Sequence, residues 1–415
     1  NLEREISKVA RKVVKKIISK EEKQVKVNID NLSNFLGEYS KEFYGGSKVR
    51  EFEKKCRSFF KVKHAITVNS WTSGLICAVG AIDIQPGDEI ILPPWTMTAC
   101  ASSILNWNAI PVFADIEKET YNLDPIDVIK KISKRTKAIM AIDIFGHPCN
   151  IVELKKIAKK YKLKLITDSA QAPYSLYKNK IAATLSDVGG ISLNHHKHIH
   201  TGEGGVIFTN SNKIAKKLKL IRNHAEKVVK STNKNDLSNM IGYNFRLGEI
   251  ESAIGIEQLK KLKRELKKKQ KIAKLLTEGL AKIPKLFLPK VIKGCTHSYY
   301  VYGIDLDIKS IKYSRDYIIK KLQSKGIPGL DAGYECLHLL PMFQKKIAYG
   351  NKGFPWNSNF YKGKVSYSKG TCPNAEYLHE KSFIKFELCL YDLNTADINF
   401  IISSFKKVWK ELKIV

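Results

Sequence analysis

A chain of 415 residues, 43% hydrophobic and 27% charged, is long enough to bury a large core and divide into two domains, and it has no uncharged apolar run of about 18 residues that could cross a membrane. Its net charge of +32 is the excess of 72 basic residues, 63 Lys and only 9 Arg scattered along the chain, over 40 acidic ones, which reads as a solvated basic surface able to attract anionic substrates and argues against a nucleic-acid reader. Eight dispersed Cys without CxxC spacing, and a first segment without the apolar centre of a secretory signal, predict reduced thiols and a cytoplasmic protein.

Residues 1–45 read as an amphipathic, Lys-rich helical extension. From there to about 210, apolar runs alternate with helical patterns. The predicted strands are His64–Asn69, Glu89–Pro93, Ile110–Asp115, Lys137–Ile144, Leu163–Thr167, Gly190–Leu193 and Gly205–Thr209. Between them the spacing predicts helices over Ser47–Phe60, Thr72–Ala81, Thr98–Asn106, Pro125–Ile132 and Ile151–Tyr161. Seven apolar strands separated by helices imply an α/β fold with a mainly parallel sheet covered on both faces. Residues 248–281 form a long charged helix that Pro284 terminates. The remainder carries a strand over Ser298–Ile304 and helices over Arg315–Lys325 and Thr395–Leu412. The expected organisation is a large domain over 46–285, including the connector helix, and a smaller α+β domain over 286–415.

Ligands of open parallel sheets bind beyond the carboxyl ends of the strands. Three polar signatures fall there: Asn69-Ser70-Trp71-Thr72, Asp168-Ser169-Ala170-Gln171, and Ser192 to Lys197. Lys197 sits among His195, His196, His198 and His200 and precedes Thr201-Gly202-Glu203-Gly204-Gly205. A lysine desolvated at a strand end has a lowered pKa and can form a Schiff base with an aldehyde. Asp168 ends a buried strand, which is costly without a partner; a protonated pyridine nitrogen is one, and an N-cap role is the plainer alternative. Ser70 to Gly74 form a strand-to-helix turn suited to phosphate, or simply to capping. The four histidines lack a local acidic or Cys ligand, so no metal is assigned; strand alternation would put His196, His198 and His200 on one face and His195 on the other.

Together the three signatures resemble the DegT-type nucleotide-sugar aminotransferases, which are fold type I enzymes dependent on pyridoxal 5'-phosphate (PLP). Further matches are Gly45-Gly46-Ser47, Gly146-His147-Pro148, Gly242-Tyr243-Asn244-Phe245-Arg246 and Cys372-Pro373-Asn374-Ala375-Glu376. The resemblance implies that Lys197 carries the cofactor and shuttles the proton, that Asp168 pairs with the pyridine nitrogen, and that Gln171 contacts the ring oxygen. It implies phosphate binding by Thr72, Ser73 and Ser192. Asn244 is expected to reach the phosphate of the neighbouring subunit's cofactor, hence a homodimer with shared active sites. The implied reaction moves an amino group from glutamate or glutamine to a keto-sugar, foremost one linked to a nucleoside diphosphate. A keto-cyclitol acceptor, a sugar dehydratase of the same fold, which would carry His in place of Lys197, and a non-catalytic binding protein are the alternatives. Two departures matter. Met97 stands where the family has an aromatic residue stacked on the cofactor, so either Met97 or Trp95 is expected to take that role. Trp71 stands where the family has a small residue, often Gly.

Overall fold

The computed structural model describes residues 46–225 and 240–414; the helical extension expected over 1–45 lies outside them. A seven-stranded sheet forms from β1 (His64–Val68), β2 (Glu89–Leu92), β3 (Ile110–Phe113), β4 (Thr136–Ile142), β5 (Lys164–Asp168), β8 (Val188–Ser192) and β9 (Gly205–Thr209). A two-stranded hairpin, β6 (Leu176–Tyr177) and β7 (Lys180–Ile181), lies apart from it. The sheet order is β1-β9-β8-β5-β4-β2-β3, and all pairings are parallel except those of β9. These strands are almost continuously buried, as a sheet covered on both faces requires.

Among the described residues, the helices of this half are α1 (Ser47–Phe60), α2 (Trp71–Ala81), α3 (Thr98–Leu105), α4 (Pro125–Lys131), α5 (Ile151–Lys160) and α6 (Asn212–Arg222). In α1, Val49, Phe52, Cys56 and Phe60 recur at helical spacing and are the buried face. Asn150 caps α5, its Oδ1 accepting from the Glu153 N–H. The five helices expected over 47–161 and the seven strands fall within a few residues of their predicted limits. The sequence reading did not identify α6.

The long helix α7 (Glu249–Leu280) leads to a four-stranded antiparallel sheet of order β10-β11-β13-β12, made of β10 (Leu286–Phe287), β11 (Tyr302–Leu306), β12 (Leu330–Asp331) and β13 (Phe383–Phe386). Helices α8 (Arg315–Ser324) and α11 (Thr395–Glu411) pack here, and the short α9 (Pro341–Gln344) and α10 (Pro373–Tyr377) lie between them in the chain. Its own core includes Leu276, Tyr302, Ile318, Ile384 and Phe405, distinct from the cores of the large sheet. The strand expected at Ser298 begins only at Tyr302. Residues 298–301 instead bond back to the loop after β4, through Ser298 N–H to the Gly146 carbonyl and Val301 N–H to the Phe145 carbonyl. That detour carries Tyr300 to the end of the large sheet.

Candidate active site

The carboxyl ends of β1, β5 and β8 lie side by side with the start of β9. Register sets Asp168 opposite Gly190, and sets both Ser192 and Val68 opposite Gly205. The polar residues that follow these strands line one cavity: Ser70, Trp71 and Thr72 from the first, Asp168, Ala170 and Gln171 from the second, and Ser192, Asn194, His196 and Lys197 from the third. Thr96, Met97, Glu203 and Tyr334 also line it, with Leu75, Ala99 and Ile142 as apolar wall.

Lys197 is held in a turn, its N–H bonded to the Asn194 carbonyl. Its ammonium lies 4.2 Å from the centroid of the Tyr300 ring, a cation–π distance. Burial, opposed by the Asp168 charge, lowers its pKa from 10.5 to about 8. Asp168 is 5% exposed. Its Oδ1 accepts from the Trp71 indole Nε1 at 2.7 Å and from the Ala170 N–H at 2.9 Å; its Oδ2 accepts from the Cys100 thiol at 3.3 Å. Burial raises its pKa, while these donors and the Lys197 charge pull it down. The Ala170 bond is the local turn that the capping alternative anticipated, yet it uses only one of the carboxylate's acceptor positions.

Gln171 uses both ends of its amide: Oε1 accepts from the Phe145 N–H at 2.6 Å, and Nε2 donates to the Tyr334 hydroxyl at 2.9 Å. Phe145 has φ of +56°, a left-handed conformation rare for a bulky residue, and Gln171 anchors it there. Ser70 caps α2 by accepting from the Ser73 N–H at 3.1 Å. Thr72 is exposed in the first turn of that helix, where leading N–H groups lack intrahelical acceptors and favour anions.

Several expected residues stand elsewhere. Ser73 is buried with its hydroxyl 2.9 Å from that of Ser70 and does not line the cavity, because the cap holds it on the inner side of the turn. Trp95 cannot stack on a ligand here. It is fully buried against the edges of Tyr121, Phe145 and Phe383, and its indole N–H donates to the Tyr334 carbonyl. Met97, 55% exposed, reaches the cavity instead. Asn244, expected in a neighbouring subunit's site, is exposed and outside this chain's own cavity; its carbonyl accepts from Asn69 Nδ2 at 3.4 Å. The His segment is irregular chain, so the expected strand alternation does not hold. His198 is buried and donates from Nε2 to the Ser298 carbonyl at 2.9 Å, His196 lines the cavity, and His195 and His200 are exposed. Burial holds the His198 pKa down to about 4.

Tyr300 and Tyr334 escaped the sequence reading, since both come from distant parts of the chain without a motif around them. The donor set suits a phosphorylated pyridine aldehyde: a desolvated amine, a buried carboxylate nearby, and a capped helix start with Thr72 and Ser192 beside it.

Residues 29–379 match the model of the DegT/DnrJ/EryC1/StrS aminotransferase family. An uncharacterised protein, MJ1066 of Methanocaldococcus jannaschii, is 33% identical over 375 residues, 88% of this chain and 91% of its own. GDP-perosamine synthase of Vibrio cholerae is 35% identical over 299 residues, 72% of this chain and 80% of its own. Among solved structures, the aminotransferase from Psychrobacter cryohalolentis superposes with a TM-score of 0.78 at 25% identity, covering 90% of this chain and 93% of that one. The aminotransferase PseC of Helicobacter pylori gives 0.75 at 26% identity, covering 90% and 94%. The chain belongs to the DegT/DnrJ/EryC1/StrS aminotransferase family, whose enzymes depend on PLP.

Proposed function

We propose that this protein transfers an amino group from glutamate or glutamine to the keto group of a sugar linked to a nucleoside diphosphate. The observation that carries the reading is the convergence of Lys197, Asp168 and Gln171 on one cavity at the sheet's carboxyl end. Relatives named GDP-perosamine synthase and dTDP-3-amino-3,6-dideoxy-alpha-D-galactopyranose transaminase support the choice of a nucleotide-linked acceptor.

When bound, PLP supplies an electron-withdrawing ring that accepts the electron pair of the substrate bond being broken. The chain's own residues have separate tasks. Lys197 Nζ would hold the aldehyde end and, with its pKa near 8, take a proton from the donor's carbon and return one to the acceptor's. Asp168 would keep a negative charge against the ring nitrogen. Gln171 would offer its amide to the ring oxygen by exchanging its bond to Tyr334. Thr72 and Ser192 would take the phosphate, and Met97 would lie over the ring. Tyr334 and Met97 line the cavity beside these groups. Asn244, exposed on its segment, would reach the phosphate in a second copy of the chain, giving a homodimer with shared sites.

The test is a panel of nucleoside-diphosphate keto-sugars incubated with glutamate and read by product mass. The expected outcome is an amino-sugar from at least one member. Conversion of glutamate to its keto acid with keto-cyclitols but with no sugar nucleotide would move the acceptor to that class.

A further inference from the structure

The indole of Trp71 occupies a slot that the surrounding backbone leaves open for it. A Cβ on Gly190 would stand 2.1 Å from Trp71 Cη2, and one on Gly74 would stand 2.6 Å from its Cε3. With those glycines the ring lies between α2 and β8, only 7% exposed, and its N–H reaches the Asp168 carboxylate. This is the position at which the chain departs from the small residue its motif otherwise carries.

The bonds to Asp168 are unequal. Oδ1 receives two N–H donors, from Trp71 at 2.7 Å and Ala170 at 2.9 Å, whereas Oδ2 receives only the thiol of Cys100 at 3.3 Å, a weak donor. A carboxylate accepts about four bonds. The capacity left for a strong donor is therefore on Oδ2. An indole N–H can only donate, so it supports the ionised carboxylate over the protonated one.

We infer that Trp71 is a positioning residue: its N–H ties down Oδ1 so that Asp168 stays ionised with Oδ2 turned to the ring nitrogen of PLP. This rests on the reading of Asp168 as that nitrogen's partner. Other groups facing the carboxylate pull in both directions. Lys197 attracts it, while Asp143, Cys100 and Tyr334 carry or could acquire negative charge nearby. Burial is the largest effect and favours protonation, so loss of a donor moves the titration upward in pH.

The experiment measures the PLP dissociation constant across pH for the wild type, Trp71→Phe and Asp168→Asn, with the melting temperature of each cofactor-free protein. A bond to a charged group of this kind predicts about tenfold weaker binding for Trp71→Phe. The loss should deepen as pH falls, because the carboxylate then protonates at higher pH. If Asp168→Asn weakens PLP binding but Trp71→Phe leaves the affinity and its pH midpoint unchanged, the inference is overturned and the Asp168 reading stands. If Asp168→Asn changes nothing, both fall. Should Trp71→Phe fail to fold, the wild type still decides. Of its five indole N–H resonances, Asp168→Asn should displace one by far the most, and five unmoved resonances would overturn the inference.

Discussion

Burial works against the charge of Lys197. The pKa of about 8 has a direct consequence for the cofactor-free protein. Only the neutral amine attacks an aldehyde, and below pH 8 its fraction falls about tenfold per unit. The rate of PLP capture, followed by absorbance after mixing, should therefore rise steeply up to pH 8 and flatten above it. A rate still climbing beyond pH 10 would mean an ordinary solvated lysine. The approach of Asp168, Gln171 and Lys197 to one cavity was legible in the sequence because each lies at or just beyond the end of an apolar strand in a recognisable pattern. Ser73 and Trp95 were misplaced because spacing alone cannot say which side of a turn or extended segment faces the cavity. Tyr300 and Tyr334 were invisible because their approach depends on long-range folding.

The strand-to-helix turn at Ser70 is steadied by a buried ion pair behind it. Arg222 of α6 donates to Glu53 of α1 at 2.7 Å and to the Thr67 carbonyl at 3.0 Å, and Glu53 accepts from the Thr67 N–H and hydroxyl. The pair thus pins two helices to β1 at Thr67, three residues before Ser70. Replacing Arg222 by Ala leaves a buried carboxylate without its main partner and should cost about 3–5 kcal/mol, read from urea unfolding. A loss below about 1 kcal/mol would show the pair to be solvated and of little consequence. The elements themselves were readable: alternating apolar runs gave all seven strands of the large sheet, and Ser47–Phe60 was located by its apolar stripe. Residues 298–301 were misread as strand because their apolar and aromatic side chains carry strand propensity. The tertiary bonds to Phe145 and Gly146 decide their path instead.

For the whole molecule, the proposed shared-site dimer makes a prediction that no single subunit can satisfy. Lys197→Ala and Asn244→Ala subunits should each form inactive homodimers, because every site lacks one residue. Mixed by unfolding and refolding, they should regain activity, since one site of the heterodimer then receives Lys197 and Asn244 intact. No recovery, with mixed dimers shown to be present, would place Asn244 in its own subunit's site or in none. The net charge of +32 adds a field that draws anionic substrates toward the molecule, an effect that salt screens within about 10 Å at 0.1 M.

One amine, that of Lys197, is proposed to join the cofactor. Borohydride reduction of the PLP-loaded protein, followed by peptide mass mapping, reads that bond directly. The expected product is a pyridoxyl phosphate adduct on the peptide containing Lys197. An adduct on any other of the 63 lysines, or no adduct at all, would contradict it.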